Sequence, residues 1–343
     1  MRIPATRTLA GVWKANIPAL AWGCSPLWAG AIILGLGGNS PQVTQIILFA
    51  AAVFLIQAVA EFANSYADRE EDRIFFPANP LVTGELRART AWTFFLAENV
   101  VVGALVIALI IVTLDYALVS AIIAGWIAGL AYSVPPLRLK ATAAGPLLIA
   151  AGCTLLLVAG WLLVAPLDRF IIAFSVFFFV HSIGYGITHK FRKTTHAFSH
   201  DPKAQGSSRN LPVFDLKLSI RRGQILEALT AMGAFIMVPV FWSLGIFQAW
   251  FSIALLTLPL ALTVAAIELR LRNPVGSGQK AMVFMTAAWA SIMIVFLAYA
   301  LSTIMHWGYA VLVCLAFLSG FALLVRSVYP FDSKALAAPW REL

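Results

Sequence analysis

The sequence predicts an all-α, polytopic transmembrane helix bundle with about nine to ten spans. Three observations predict it: 61% of the 343 residues are hydrophobic, only 11% are charged, and the mean hydropathy is +0.88. A soluble chain would carry roughly 25% charged residues. The composition therefore excludes a soluble enzyme, a disordered protein and a disulfide scaffold. In a membrane protein the net charge of +9 reports topology first, so no nucleic-acid partner is expected.

Apolar runs follow one another along the chain, each near the roughly 20 residues that cross a bilayer. They cover residues 16–36, 43–63, 92–112, 115–133, 144–165, 169–188, 226–246, 249–268, 281–303 and 308–326. The short connections between several of them predict antiparallel helix hairpins. We expect one membrane domain over residues 1–343, with a first half over 1–140, a second half over 141–270 and further spans over 271–343.

The distribution of basic residues predicts the orientation in the membrane. With these spans, every Lys and Arg except Arg169 falls on the side that holds both termini, and Arg270 is counted in a loop on that side. By the positive-inside rule this side is cytoplasmic. We therefore expect a multi-pass protein of the bacterial inner membrane. Its active site is expected on the cytoplasmic side, where the long polar connections after the second and sixth spans lie.

An acidic cluster closes the second apolar run. Asn64, Asp68 and Asp72 are spaced four residues apart, and at about 100° per residue their side chains share one face of a helix. Like charges one turn apart destabilise a helix, and a divalent cation between them offsets that repulsion. Oxygen donors without a soft ligand suit Mg²⁺, which shares its remaining positions with water and phosphate. The alternative is a solvated helix end that anchors the span.

Two basic residues follow the fourth apolar run. The pair Pro135-Pro136 ends that helix, which presents Arg138 and Lys140 as two cations beside the acidic face. Cations next to carboxylates that hold Mg²⁺ form the arrangement that a diphosphate group needs. The alternative for both residues is ordinary anchoring of a helix end on the positive side.

These segments together resemble the UbiA-type intramembrane prenyltransferase family. Its first signature is an Asn followed by Asp residues at the spacing of Asn64, Asp68 and Asp72. Residues 79–84 are similar to its RPLxxG-like segment, and residues 132–140 resemble the YSxPPLRLK form of the chlorophyll-synthase-like and related branches. The resemblance implies a bundle of two four-helix halves with the site between them.

The sequence departs from the family pattern at three places. Ser65 stands where many members have a further Asp, and Asn79 stands where the family has a loop arginine. Of the second acidic motif, expected after the sixth span, only Asp201 remains. His196 and His200 lie one turn apart in the same region and could join Asp201 as ligands for a softer ion.

The resemblance implies Mg²⁺-dependent transfer of an isoprenyl group from a prenyl diphosphate to a lipophilic acceptor of the aromatic, quinone-precursor or tetrapyrrole-like kind. The implied metal ligands are Asn64, Asp68, Asp72 and Asp201. The implied diphosphate-binding residues are Arg138, Lys140, Lys203 and Arg209. The implied catalytic residues are Asp68, Asp72, Asp201 and Tyr132.

Two alternatives stay open at this point. In a UbiA-type terpene cyclase, the same ionisation is followed by closure of the cation on itself. In a non-catalytic membrane carrier or assembly protein of the same fold, the reduced second motif marks a lost activity. Products formed without an acceptor distinguish the cyclase, and failure to bind Mg²⁺ and diphosphate distinguishes the carrier.

Overall fold

The structure, a computed structural model, describes residues 5–16, 18–36, 41–70, 72–75, 78–199, 219–273 and 277–328. The regular elements in these ranges are α-helices and one short 3-10 turn, with no β-strand among them, which confirms the all-α fold. The helices are α1 (Ala5–Asn16), α2 (Pro18–Gly35), α3 (Val43–Ala67), α4 (Asp72–Phe75), α5 (Ala88–Thr113), α6 (Tyr116–Ser133), α7 (Ala144–Leu162), α8 (Arg169–Ser199), α9 (Ile220–Ser243), α10 (Ala249–Leu255), α11 (Leu258–Arg272), α12 (Gly278–Ser302) and α13 (Trp307–Val328).

Nine helical segments in the described ranges are long and apolar enough to cross a membrane. Most are single helices, but the segment Ala249–Arg272 joins α10 and α11 across a break at Leu256-Thr257. The apolar part of α2, Trp22–Gly35, is shorter than the other nine segments. The predicted multi-pass bundle of nine to ten spans is therefore confirmed, whereas its orientation stays a prediction.

Several helices extend beyond the apolar runs that predict them, and two of these extensions, in α3 and α8, carry polar motifs. α3 continues past residue 63 to Ala67, and α8 continues past residue 188 to Ser199. The backbone of residues 189–199, which the apolar runs leave in the connection after the sixth span, is therefore helical. The apolar run predicts only the part of a helix that lies in hydrocarbon, because the backbone can stay helical beyond the bilayer.

The described residues form two compact units. The first unit comprises the described residues within Met1–Arg138, Leu155–Pro166 and Ala300–Leu336. Inside it, α3 packs against α1, α2, α5 and α6, with Phe62 fully buried. A Cβ atom on Gly129 of α6 would lie 2.9 Å from the Cβ of Ala60 on α3, so these two helices approach closely because residue 129 has no side chain.

The second unit comprises the described residues within Leu139–Thr154 and Leu167–Tyr299. Aromatic rings fill its core, and the rings of Phe174 and Phe296 stack with centroids 4.3 Å apart. A Cβ atom on Gly184 of α8 would lie 2.7 Å from the Cβ of Ala231 on α9, so this pair also depends on a glycine. The predicted division of the chain at residues 140 and 270 stays a prediction.

Candidate active site

The candidate site begins where α3 ends. Asp68 is the C-cap of the helix, and its N–H donates to the carbonyl oxygen of Asn64 at 2.9 Å. The N–H of Asp72, at the start of α4, donates to the carbonyl oxygen of Asp68 at 2.7 Å. The three residues therefore follow one another at intervals of one turn. The sequence predicts a single helix through Asp72; instead α3 stops at Ala67 and α4 begins at Asp72.

Asp68 and Arg138 form an ion pair at this helix end. Arg138 Nη2 donates to Asp68 Oδ1 at 3.2 Å; the Asp68 side chain is 6% exposed and the Arg138 side chain 36%. Arg138 has φ of +35°, a left-handed conformation that few non-glycine residues adopt. Backbone strain of this kind clusters at functional sites. The structure thus brings Arg138 to the acidic cluster, while its catalytic role stays a prediction.

Asn79 holds the segment between α3 and α5 in place. It is fully buried, and its Nδ2 donates to Asp72 Oδ2 at 2.7 Å and to the carbonyl oxygen of Ser65 at 3.0 Å. The N–H of Leu81 donates to Asn79 Oδ1 at 2.9 Å. One amide side chain therefore orients the Asp72 carboxylate. Sequence reasoning missed this role; the available signal is the Asn-Pro pair at 79–80, because Asn bonds nearby backbone in turns.

Two serines connect the acidic helix end to neighbouring helices. Ser133 at the end of α6 donates from Oγ to Asn64 Oδ1 at 3.3 Å. Ser65 donates from Oγ to the carbonyl oxygen of Ala15 in α1 at 3.1 Å. Tyr132 precedes Ser133 and is half-buried. The structure therefore places Asn64, Asp68, Asp72 and Arg138 around the end of α3, with Tyr132 on the last turn of α6.

The other predicted residues belong to the second unit or lie outside the described ranges. Lys140 is buried in the 3-10 turn Leu139–Ala141, which belongs to the second unit. Asp201, Lys203, Arg209 and His200 lie outside the described residues, as does the side chain of His196. Their placement at the site stays a prediction.

The donor set of the first unit fits Mg²⁺. The described part of the chain has no group of three or more His, Cys, Asp or Glu side chains placed to hold a metal ion. Mg²⁺ usually binds through one or two carboxylates, waters and substrate phosphates rather than through an all-protein cage. Two carboxylates, those of Asp68 and Asp72, with the amide oxygen of Asn64 supply hard donors of this kind. Further positions are then left for ligand oxygens.

Several solved structures are similar in fold to this chain, among them structures of UbiA homologues. A UbiA homologue from Archaeoglobus fulgidus is similar over 86% of this chain and 99% of its own, with a TM-score of 0.59 and 21% identity. A structure of a UbiA homologue from this organism bound to DMAPP and Mg²⁺ is similar over 82% of this chain and 98% of its own, with a TM-score of 0.56 and 20% identity. A structure from work on digeranylgeranylglyceryl phosphate synthase in membranes is similar over 86% and 99%, with a TM-score of 0.58 and 18% identity.

These likenesses, at identities near 20%, establish the fold. The comparison with curated proteins found no match. The family model described as the UbiA prenyltransferase family matches residues 24–287, well over half of the sequence. The chain belongs to the UbiA prenyltransferase family.

Proposed function

We propose that this protein transfers an isoprenyl group from a prenyl diphosphate to a lipophilic acceptor within the membrane, in a reaction that requires Mg²⁺. The observation that carries the proposal is the 3.2 Å ion pair of Asp68 with Arg138, flanked by Asn64 and Asp72. A guanidinium and oxygen donors at one helix end can bind both parts of a metal–diphosphate complex. Membership of the family, and the relative solved with DMAPP and Mg²⁺, support this chemistry.

Each residue of the site in the first unit has a separate role in the proposed reaction. Asn64, Asp68 and Asp72 would hold Mg²⁺, which when bound stabilises negative charge on the diphosphate. Arg138, which donates to Asp68 in the structure, neutralises the leaving diphosphate with its planar guanidinium. Asn79 keeps the Asp72 carboxylate oriented through its 2.7 Å hydrogen bond.

The proposed reaction breaks the bond between the first prenyl carbon and the diphosphate oxygen, and the electron pair leaves with the oxygen. A nucleophilic atom of the acceptor supplies the pair for the new bond to that carbon and then loses a proton. The apolar helices exclude water from the cation that develops. Charge stabilisation at the diphosphate is the largest contribution that such a site makes to the rate.

We also propose roles for residues that the family resemblance suggests. Asp201 would be a further metal ligand, and Lys140, Lys203 and Arg209 would bind the diphosphate. Tyr132 would be a catalytic residue beside Ser133. The support for these roles is the position of each residue in segments that resemble the family motifs.

The finer description concerns the acceptor and the location. We propose an aromatic, quinone-precursor or tetrapyrrole-like acceptor, because a bundle of apolar spans can admit such compounds from the bilayer. The nine candidate spans fit a multi-pass integral membrane protein. We further propose the bacterial inner membrane with the site on the cytoplasmic side, supported by the asymmetry of the basic residues.

The test uses the purified full chain in lipid nanodiscs with Mg²⁺ and prenyl diphosphates of several lengths, each with and without candidate acceptors. Lipid products are identified by mass spectrometry. We expect a prenylated acceptor and free diphosphate, both absent when Mg²⁺ is chelated. A cyclised hydrocarbon formed without an acceptor would replace the proposal by the terpene cyclase. No consumption of any diphosphate, by protein shown to be folded, would contradict both enzymatic functions.

Matched variants separate the site from general effects of charge. Asp68→Asn and Arg138→Gln should lose product formation. Glu268→Gln and Arg272→Gln are the controls, because these residues form an exposed ion pair on α11. Equal losses in both pairs would show that the measured activity does not depend on the site at the end of α3.

A further inference from the structure

We propose that a cavity at the end of the first unit binds one acyl chain of an anionic phospholipid. The cavity has a volume of about 240 Å³. It is lined by Tyr66 and Ala67 of α3, Trp92 and Phe95 of α5, and Val134 and Pro135 after α6. The phosphate of the same lipid would lie against Arg69 and Arg89.

The cavity lies on a different side of α3 from the carboxylates of the proposed active site. Ala63, Tyr66 and Ala67 line the cavity, whereas Asn64 and Asp68 carry the oxygen donors. At about 100° per residue, the centres of these two sets are roughly 130° apart around the helix. The cavity is therefore a separate site, and occupying it does not require the metal-binding residues.

The walls of the cavity are aromatic and open toward lipid. The Trp92 ring centroid is 5.5 Å from that of Tyr66 and 5.2 Å from that of Phe95. Trp92 is 41% exposed. Of the 18-residue apolar stretch of α5, only 22% is buried inside the protein. In a membrane, the exposed face of such a helix meets acyl chains. The cavity is thus reached from the bilayer.

The size of the cavity favours a single chain. Pockets that enclose a whole small ligand usually measure roughly 300–1,000 Å³, and this cavity is smaller. It can accept a segment of one hydrocarbon chain while the headgroup stays outside. Tyr66 and Trp92 are of the types that accumulate where a bilayer meets water, which places the mouth of the cavity near the headgroups.

Two arginines give the mouth its charge. Arg69 Cζ lies 4.9 Å from the Tyr66 ring centroid, and Arg89 is exposed one turn before Trp92 on α5. Two carboxylates lie near these arginines: Glu70, which is 3.2 Å from Arg73 and 3.8 Å from Arg69, and Asp68, which pairs with Arg138. Basic side chains next to interfacial aromatic rings attract anionic lipid headgroups. This charge selects a lipid with net negative charge over a zwitterionic one.

The experiment is native mass spectrometry of the full chain in detergent, with phosphatidylglycerol, phosphatidylcholine or a prenyl diphosphate added at equal concentration. We expect phosphatidylglycerol to be retained at least about fivefold better than phosphatidylcholine. Ala67→Leu, which fills the cavity, and the double variant Arg69→Gln, Arg89→Gln should each abolish that preference. The arginine variant tests the proposal even where Ala67→Leu fails to fold.

Two control variants match these changes at lipid-facing or exposed positions. Ala104→Leu adds the same side chain to an exposed position of α5, and Arg222→Gln removes an exposed arginine of α9. Both should retain phosphatidylglycerol as the unchanged protein does. Retention that is equal in all variants would overturn the proposal. Loss of prenyl diphosphate binding instead of phosphatidylglycerol binding in Ala67→Leu would also overturn it, because the cavity would then hold the substrate chain.

Discussion

Among the residues that the structure describes, each unit contains a partly or wholly buried pair of an arginine and a carboxylate, and these two pairs differ in their contact with water. In the first unit, Asp68 and Arg138 are 3.2 Å apart, with side-chain exposures of 6% and 36%. In the second unit, Glu227 and Arg270 are 3.7 Å apart, with side-chain exposures of 1% and 1%. The first pair is open at its arginine, whereas the second is closed.

The closed pair has protein groups on several sides. Thr188 Oγ1 donates to Glu227 Oε1 at 2.6 Å, and Gln224 Nε2 donates to the carbonyl oxygen of Arg270 at 2.8 Å. The Arg270 guanidinium also lies over the ring of Phe191, 4.3 Å from its centroid. These contacts connect α8, α9 and α11 around the buried pair. Both side chains are therefore enclosed by protein.

The difference indicates two uses of the same chemistry. A buried pair affects the stability of the fold, because removing one partner leaves the other charge without compensation in a low dielectric. An open pair can exchange its partner for a ligand, because the arginine is already partly in contact with water. This difference supports the proposal that Glu227 and Arg270 hold the helices together, whereas Asp68 and Arg138 belong to the proposed active site.

The largest effect is expected where the closed pair is broken. Arg270→Met leaves the Glu227 carboxylate buried beside an apolar side chain, and the free energy of unfolding should fall by about 3–5 kcal/mol. The double variant Glu227→Gln, Arg270→Met removes both charges and keeps an acceptor for Thr188, so it should recover most of that loss. Equilibrium unfolding in mixed micelles measures both changes. A loss below about 1 kcal/mol for Arg270→Met would show that the pair does not hold the helices.

Breaking the open pair should instead reduce activity and spare stability. Asp68→Asn keeps the size of the side chain but removes the charge, and turnover should fall about 100-fold or more, as when one group that stabilises transition-state charge is lost. Arg138 should stay solvated through its exposed part, so the unfolding free energy should change by less than about 1 kcal/mol. Turnover and unfolding are measured on the same preparation. A large loss of stability with a proportionate loss of turnover would remove the distinction between the two pairs.

A smaller effect is expected at Asn79, which tests whether the orientation of Asp72, next to the open pair, matters for metal binding. Asn79→Ala removes the 2.7 Å hydrogen bond to Asp72 Oδ2, so the carboxylate is less well oriented for a metal. We expect turnover at low Mg²⁺ to fall about tenfold, or roughly 1.4 kcal/mol, and to recover partly at high Mg²⁺. A purely structural role would lower turnover equally at every Mg²⁺ concentration. The titration of turnover with Mg²⁺ distinguishes the two.

The sequence predicted the bundle from local patterns, and it predicted that Arg138 lies beside the acidic end of α3. Apolar runs of bilayer length mark the spans, and the spacing of Asn64, Asp68 and Asp72 marks the carboxylate end of α3. The turn after α6 brings Arg138 to Asp68, as two prolines followed by a basic residue suggest. The spans and the turn follow from local patterns, whereas the contact between Asp68 and Arg138 spans 70 residues and was expected from the combination of motifs that resemble those of the family.

The closed pair could not be predicted in the same way. Arg270 looks like one more basic residue at the end of a span, and the sequence analysis counts it in a loop; the structure shows it in α11 at 1% exposure. Glu227 is a single carboxylate in an apolar run. Their contact depends on tertiary packing, and neither residue lies in a motif that marks it as one of a pair. The hydrogen bond from Asn79 to Asp72 was also not predicted. The buried Asn79 side chain itself determines how the chain turns there, so the sequence around it does not show which group Asn79 contacts.

The smallest effect is expected at a third pair, which tests whether exposure alone makes an arginine–carboxylate pair functional. Glu268 and Arg272 form an i,i+4 ion pair on α11, with side-chain exposures of 54% and 77%. Such surface pairs contribute about 0.3–0.5 kcal/mol, because water and salt screen them. The double variant Glu268→Gln, Arg272→Gln should therefore change the unfolding free energy by no more than this, and turnover should stay within about twofold of the unchanged protein. Both quantities are measured beside those of Asp68→Asn and Arg270→Met. A loss of turnover comparable to that of Asp68→Asn would contradict this prediction. It would mean that the loss in Asp68→Asn does not depend on the neighbouring oxygen donors of Asn64 and Asp72, which the pair on α11 lacks.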